Sequence, residues 1–220
     1  MELYKFLKKE HFDLLLANGT VRVGTLMNYR SHEQGTMVTD RMEGAKNFSG
    51  GFENLTSNDL KQSYTLSTLV EVSDGSTGIG YLDNIVIEEP NYFIFSVSDG
   101  YSKQAHEKWF EQQAYDYCYK IIAPNTFFRR ITRKLNEIQP VEFIGIFPVR
   151  YYNEKAGMDF FDPLEKLPAF TLKDYDEYSE QNEIRAVWRP KTMGAISPID
   201  ISYKGLSSYI ADQGHFLDAS

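Results

Sequence analysis

Leu3 to Leu26 reads LYKFLKKEHFDLLLANGTVRVGTL. Leu3–Phe6 is short and apolar, an opening or edge strand. From Lys8 to Ala17 the apolar residues Phe12, Leu15 and Leu16 recur at the i, i+3, i+4 spacing of one helix face. Asn18-Gly19 ends that helix, because both residues tolerate the left-handed conformation of a C-cap. Thr20–Leu26 then alternates, with Val21 and Val23 to one side and Arg22 to the other, as a strand requires. A strand–helix–strand unit is thus complete within 26 residues.

Working outward, Tyr92–Ser98 is a clear strand, Phe93, Phe95 and Val97 alternating against Ile94, Ser96 and Ser98. The pattern predicts a helix over Ser102–Gln113, a strand over Tyr115–Ile122 and a helix from Pro124-Asn125 to Ile138. Strands follow over Val141–Arg150, Glu183–Trp188 and Ile199–Tyr203, with a short helix near Leu206–Ala211. Pro148 cannot donate to a ladder, so that end of its strand belongs on a sheet edge. Tyr64–Val72 alternates, a turn at Asp74–Gly78 follows, and Ile79–Ile87 reads as the returning strand of a hairpin. The glycines at 75, 78 and 80 lack the spacing and the strand-to-helix context of a dinucleotide fingerprint. Asn28–Asn58 is polar, glycine-bearing and aperiodic, which reads as a binding loop or a surface insertion. Residues 153–174 are irregular. Strands joined by hairpins and single helices give an α+β class with a mixed, mostly antiparallel sheet.

The chain of 220 residues fits one domain, taken as 1–220, or a domain with a small appendage. Its single cysteine excludes a disulfide framework and any cysteine-based zinc site. No apolar run approaches the length needed to cross a bilayer, and MELYKFLKKEHF lacks a signal-peptide core. The expectation is a cytoplasmic protein with no membrane role. A net charge of -8 argues against non-specific DNA binding, though a local basic patch can still grip phosphates.

His11, His32, His106 and His215 are scattered without metal-ligand spacing, so no metal is expected. Cys118 lies in an aromatic run and reads as a small buried hydrophobe. No nucleophile elbow, Walker loop or kinase signature occurs. Arg129, Arg130 and Arg133 form a basic stripe on the helix whose other side carries Phe128, Ile131 and Leu135. That stripe is either a solvated face or a phosphate or nucleic-acid contact. Near the end, Gln181 precedes Glu183 by two residues. If the strand begins by Gln181, both project from one face and can address a sugar, with the carboxylate able to stabilise an oxocarbenium-like transition state. The other reading is a salt-bridged strand in which Glu183 pairs with Arg185 or another arginine.

The order Leu3-Tyr4-Lys5-Phe6, Thr20-Val-Arg-Val-Gly, Asp40-Arg-Met-Glu43-Gly, Phe95-Ser96-Val-Ser98, Trp109 with Tyr115, and Glu183-Ile-Arg185 resembles a broad family of uncharacterised bacterial and phage-associated proteins. Their pattern is a Leu-Tyr-Lys/His-Tyr opening, an Asn-Asp-Pro-x-Glu loop, a Trp-x-x-Tyr helix and a Glu-x-Glu-x-Arg strand. Here Asp40-Arg-Met-Glu43 replaces the loop motif, and Gln181 stands for the first acid of the closing one. The pattern is in turn similar to the ADP-ribosyltransferase fold of DNA- and RNA-targeting toxins, which ends on a catalytic Glu, often as Gln-x-Glu. That similarity implies Glu183 and Gln181 as catalytic residues, Ser96 on the middle strand, and Lys5 where a His or Arg often holds NAD. Arg22 or Arg30 would then hold the pyrophosphate, and Tyr4 or Tyr29 would stack on nicotinamide. Asp40 and Glu43 would belong to a loop near the cleft.

Three readings follow. The first is an NAD-consuming ADP-ribosyltransferase-like enzyme, acting on nucleic acid in a toxin or antiphage setting. The second is a non-catalytic nucleotide- or nucleic-acid-binding module, a sensor or defence inhibitor. The third is a partner-binding subunit anchored by its many Tyr and Phe rings.

Overall fold

The computed structural model describes residues 2–30 and 40–215. Along the chain run β1 (Leu3–Leu7), α1 (Lys9–Asn18), β2 (Thr20–Thr25), α2 (Leu26–Arg30), β3 (Ala45–Leu55), α3 (Ser57–Leu60), α4 (Tyr64–Leu69), β4 (Gly78–Glu88) and β5 (Phe93–Asp99). After these come α5 (Lys103–Gln113), β6 (Tyr117–Ile121), α6 (Pro124–Ile138), β7 (Val141–Pro148), β8 (Arg150–Tyr152), β9 (Leu172–Asp174), α7 (Tyr175–Tyr178), β10 (Glu183–Pro190), β11 (Ile199–Ser202) and β12 (Ile210–His215). The class is mixed α+β with a mostly antiparallel sheet; among the described strands only β8 and β9 pair in parallel.

The residues divide into two compact units: Met1–Arg41, Asn91–Val149 and Tyr178–Ser220 form the first, Met42–Pro90 and Arg150–Glu177 the second. The first unit is built on an eight-stranded sheet with β5 at its centre. On one edge β5 pairs with β10 from Phe93 to Ser98. Its other edge is shared: β2 takes Phe93 and Ile94, while β1 takes Ser98 and Asp99. Between those contacts the two strands part, and the middle of β5 is left outside either ladder.

Residues directly opposite in an antiparallel pair share a face. One face therefore collects Leu3, Phe93, Phe95, Val97, Tyr117, Tyr119, Ile184, Ala186 and Trp188, and it buries them against Phe12 and Leu15 of α1 and Phe127, Phe128, Ile131 and Leu135 of α6. The Trp188 indole donates to Thr132 Oγ1 of α6 at 2.7 Å, which satisfies the one polar atom that this ring brings inside. The predicted cap is present: Gly19 adopts φ 67° and donates to Leu15 O at 2.8 Å.

The second unit holds the two-stranded sheet β3–β4, with Phe48, Leu55, Leu66, Met158, Phe160 and Leu172 as its core. Two expectations are corrected here. The Tyr64–Val72 stretch is helical at Tyr64–Leu69, because Ser63 caps the Leu66 amide at 3.0 Å and the Glu165 carboxylate accepts the Thr65 amide at 2.8 Å. A carboxylate a hundred residues away thus completes the helix start. The partner of the Ile79–Ile87 strand is instead β3, which lies inside the stretch read as an aperiodic loop. Gly50 and Gly51 hide β3 in the sequence, since glycine weakens strand propensity. The structure also adds β12 beyond the expected Leu206–Ala211 helix, of which Lys204–Tyr209 forms a 3-10 segment.

Candidate functional site

The site is assembled on the face of the large sheet opposite α6. The registers Tyr4↔Ser98 and Glu183↔Ser98 align Tyr4, Ser98 and Glu183 in one cross-strand row over β1, β5 and β10. Arg185 and Ser96 form the next row. Rings cover the β1 end of this face. Gly100, at φ 81°, turns the chain after β5, and Tyr101 folds back to 5.9 Å from the Tyr4 ring and 6.2 Å from Phe6. His106 of α5 lies 4.9 Å from Phe6, and its Nδ1 is 3.3 Å from the Tyr101 hydroxyl. Burial pushes the His106 imidazole down to about 4, so the ring is neutral at physiological pH.

Glu183 is 6% exposed and Arg185 1%. Their side chains, two residues apart on one strand, meet as a bidentate pair: Arg185 Nε donates to Oε1 at 2.8 Å and an Nη to Oε2 at 3.3 Å. The salt-bridged strand read from the spacing is therefore what forms. Gln181 does not sit on that strand. It ends a 3-10 turn, Asn182 is left-handed at φ 47°, and β10 starts at Glu183, so the shared-face argument from strand alternation does not apply. Gln181 is nonetheless buried, at 4% exposure.

Lys5 points to the core side, its ammonium 5.0 Å from the Phe95 ring centroid. Its Nζ donates to the Ser96 carbonyl at 2.7 Å, in the part of β5 that neither β1 nor β2 pairs. Burial pushes the ammonium down to about 8, and the Glu183 carboxylate works against that shift. Lys5 thus fills the split in the sheet, with its positive charge spent on a backbone carbonyl.

The other expected residues disperse. Arg22 is exposed on β2 and pairs with Asp200 of β11 at 3.6 Å. Tyr29 and Arg30 close α2; Tyr29 O accepts the Asp40 amide at 2.9 Å, and the Tyr29 hydroxyl occupies the space over Gly24 that a Cβ would need. Asp40 is buried in the first unit, and Glu43, also buried, belongs to the second. Arg129, Arg130 and Arg133 lie on α6, across the sheet from Glu183. Arg130 rests on the Tyr203 ring and bonds Tyr209, and Arg133 reaches Glu137 at 3.8 Å. Cys118 is fully buried and its thiol is pushed up to about 12, an inert small hydrophobe. His32, of the scattered histidines, lies outside the described residues.

Sequence reasoning missed the ring set of Tyr101 and His106, whose only signal is the glycine placed just after the β5 strand. No family model, no curated protein and no solved structure matches this chain. No helix among the described residues is long and apolar enough to cross a membrane.

Proposed function

We propose that this protein is an ADP-ribosyltransferase-like enzyme that takes NAD as its glycosyl donor in the cytoplasm, with a nucleic acid as acceptor in a toxin or antiphage setting. One observation carries the reading: Tyr4 and Glu183, from the first and last stretches that carry the resemblance, stand in one row with Ser98 on adjacent strands, and Ser96 of the middle stretch lies one row on, opposite Arg185. In this chemistry the bond from nicotinamide nitrogen to ribose C1′ breaks and nicotinamide leaves with the bonding pair. The sugar carries oxocarbenium character until an acceptor nucleophile adds at C1′ and loses its proton. Glu183 supplies the negative charge facing that cation, and the two hydrogen bonds from Arg185 fix its direction. The test is nicotinamide release from NAD by the purified protein, followed by chromatography. Wild type is expected to release it and Glu183→Ala to lose that activity; turnover that survives the substitution removes Glu183 from the role.

The bidentate grip of Arg185 on both Glu183 oxygens favours a second reading, a nucleotide-binding module without turnover. A ligand that prefers the folded state raises its melting temperature. Stabilisation by NAD with no nicotinamide released would select this reading.

A further inference from the structure

The second unit carries 15 Asp and Glu against 6 Lys and Arg, a formal -9, while the first carries 16 against 17. The acidity of the whole chain is therefore confined to one unit, and from Gln62 to Ser102 there is neither lysine nor arginine. In the same unit the 11-residue strand β4 pairs, among the described residues, with β3 alone. The far edge of β3 is in part occupied, since Met158 exchanges backbone hydrogen bonds with Asn47 and Ser49. A left-handed Asn84 interrupts β4, so its regular half is Gly78–Asp83. Ile79 and Tyr81 project from that half at 79% and 68% exposure, and the Tyr81 ring leans on Gly51 of β3.

Natural edge strands are usually blunted by lysine, proline or a covering element, because a bare row of amides and carbonyls templates further pairing. The regular half of β4 has neither lysine nor proline, and it presents apolar side chains instead. We propose that this edge is a docking surface for an extended segment of a partner protein, rich in lysine or arginine and alternating with apolar residues, which adds as a third strand beside β4. Backbone pairing supplies the geometry and alternate apolar side chains meet Ile79 and Tyr81. The acidic unit selects the cationic partner and speeds its approach. A second copy is disfavoured as the occupant, since it would bring one -9 unit against another.

The probe is a labelled nine-residue peptide alternating lysine and valine, titrated onto the full chain by fluorescence anisotropy. Its controls alternate glutamate with valine and lysine with serine. The lysine–valine peptide is expected to bind in a salt-sensitive way, to shift the amide resonances of 78–83, and to lose about tenfold in affinity when Ile79→Ser and Tyr81→Ser are combined. Both positions are solvent-facing, and an unchanged circular dichroism spectrum checks the fold. Absence of binding overturns the proposal. So does equal binding of the lysine–serine peptide, or of the doubly substituted protein, which would reduce the effect to diffuse charge attraction. A concentration-dependent dimer that these substitutions abolish would overturn it in favour of a second copy.

Discussion

Replacing Lys5 by methionine removes a charge that the fold holds under protest, and the pH dependence of stability should show it. The ammonium titrates near 8 in the folded protein and near 10.5 when solvated. Between those values the unfolded chain binds the proton more tightly, so wild-type stability rises with pH across that window. Below 8 the desolvation cost is present in full. At about 1.4 kcal/mol per pH unit the gain has a ceiling of roughly 3 kcal/mol. Urea unfolding of wild type and Lys5→Met, in parallel from pH 7 to pH 10.5, isolates the effect, because the tyrosines and other lysines titrate in both. The wild-type-minus-variant difference should climb by about 1–3 kcal/mol over this range. Glu183→Gln should move the Lys5 midpoint below 8, because the carboxylate opposes the burial shift; the ε-carbon resonance of labelled lysine reads that midpoint. A difference that stays flat with pH would show that the Lys5 ammonium is solvated, and the account of the split sheet would fail with it.

Arg185→Met should destabilise the first unit by about 3–5 kcal/mol, because it takes a bidentate cationic partner from a buried carboxylate, and Glu183→Leu combined with it should recover part of that loss in urea unfolding. Recovery of nothing would mean that the two side chains are not energetically coupled. Gly19→Ala should cost several times more than Gly100→Ala in thermal melts. Both have positive φ, but a Cβ at 19 would lie 1.8 Å from Tyr203 O while one at 100 meets nothing within 4 Å; equal costs would show that backbone conformation alone matters. Thr132→Val should lower stability by about 1–3 kcal/mol by leaving the buried Trp188 indole N–H without its acceptor, and an unchanged urea midpoint would contradict that.

Much of the large sheet was legible locally. The helix at Lys9–Asn18 with its glycine cap, the strand at Phe93–Asp99 and the strand opening at Glu183 all announce themselves through periods of 3.6 or 2 and through turn residues. The Glu183–Arg185 pair was legible too, because i, i+2 on a strand fixes a common face. The helix at Tyr64–Leu69 was not. Over Tyr64–Val72 the residues Tyr64, Leu66, Thr68, Val70 and Val72 alternate well enough for a strand, and it takes the Ser63 cap together with the distant Glu165 carboxylate to tip the balance. The condition that the strand begins by Gln181 is not met, because one left-handed residue, Asn182, delays the start of β10 to Glu183.

By itself the sequence determined which segments are amphipathic, where helices stop, and that a mostly antiparallel α+β fold results, since periodicity and capping act over a few residues. Tertiary structure alone decided that β5 sits between β10 and a divided edge, that Tyr4 and Glu183 from opposite ends of the chain share one row, and that Lys5 fills the gap. Strand order and register depend on which distant surfaces bury each other best after the entropy of closing long loops is met, and no local pattern encodes that balance.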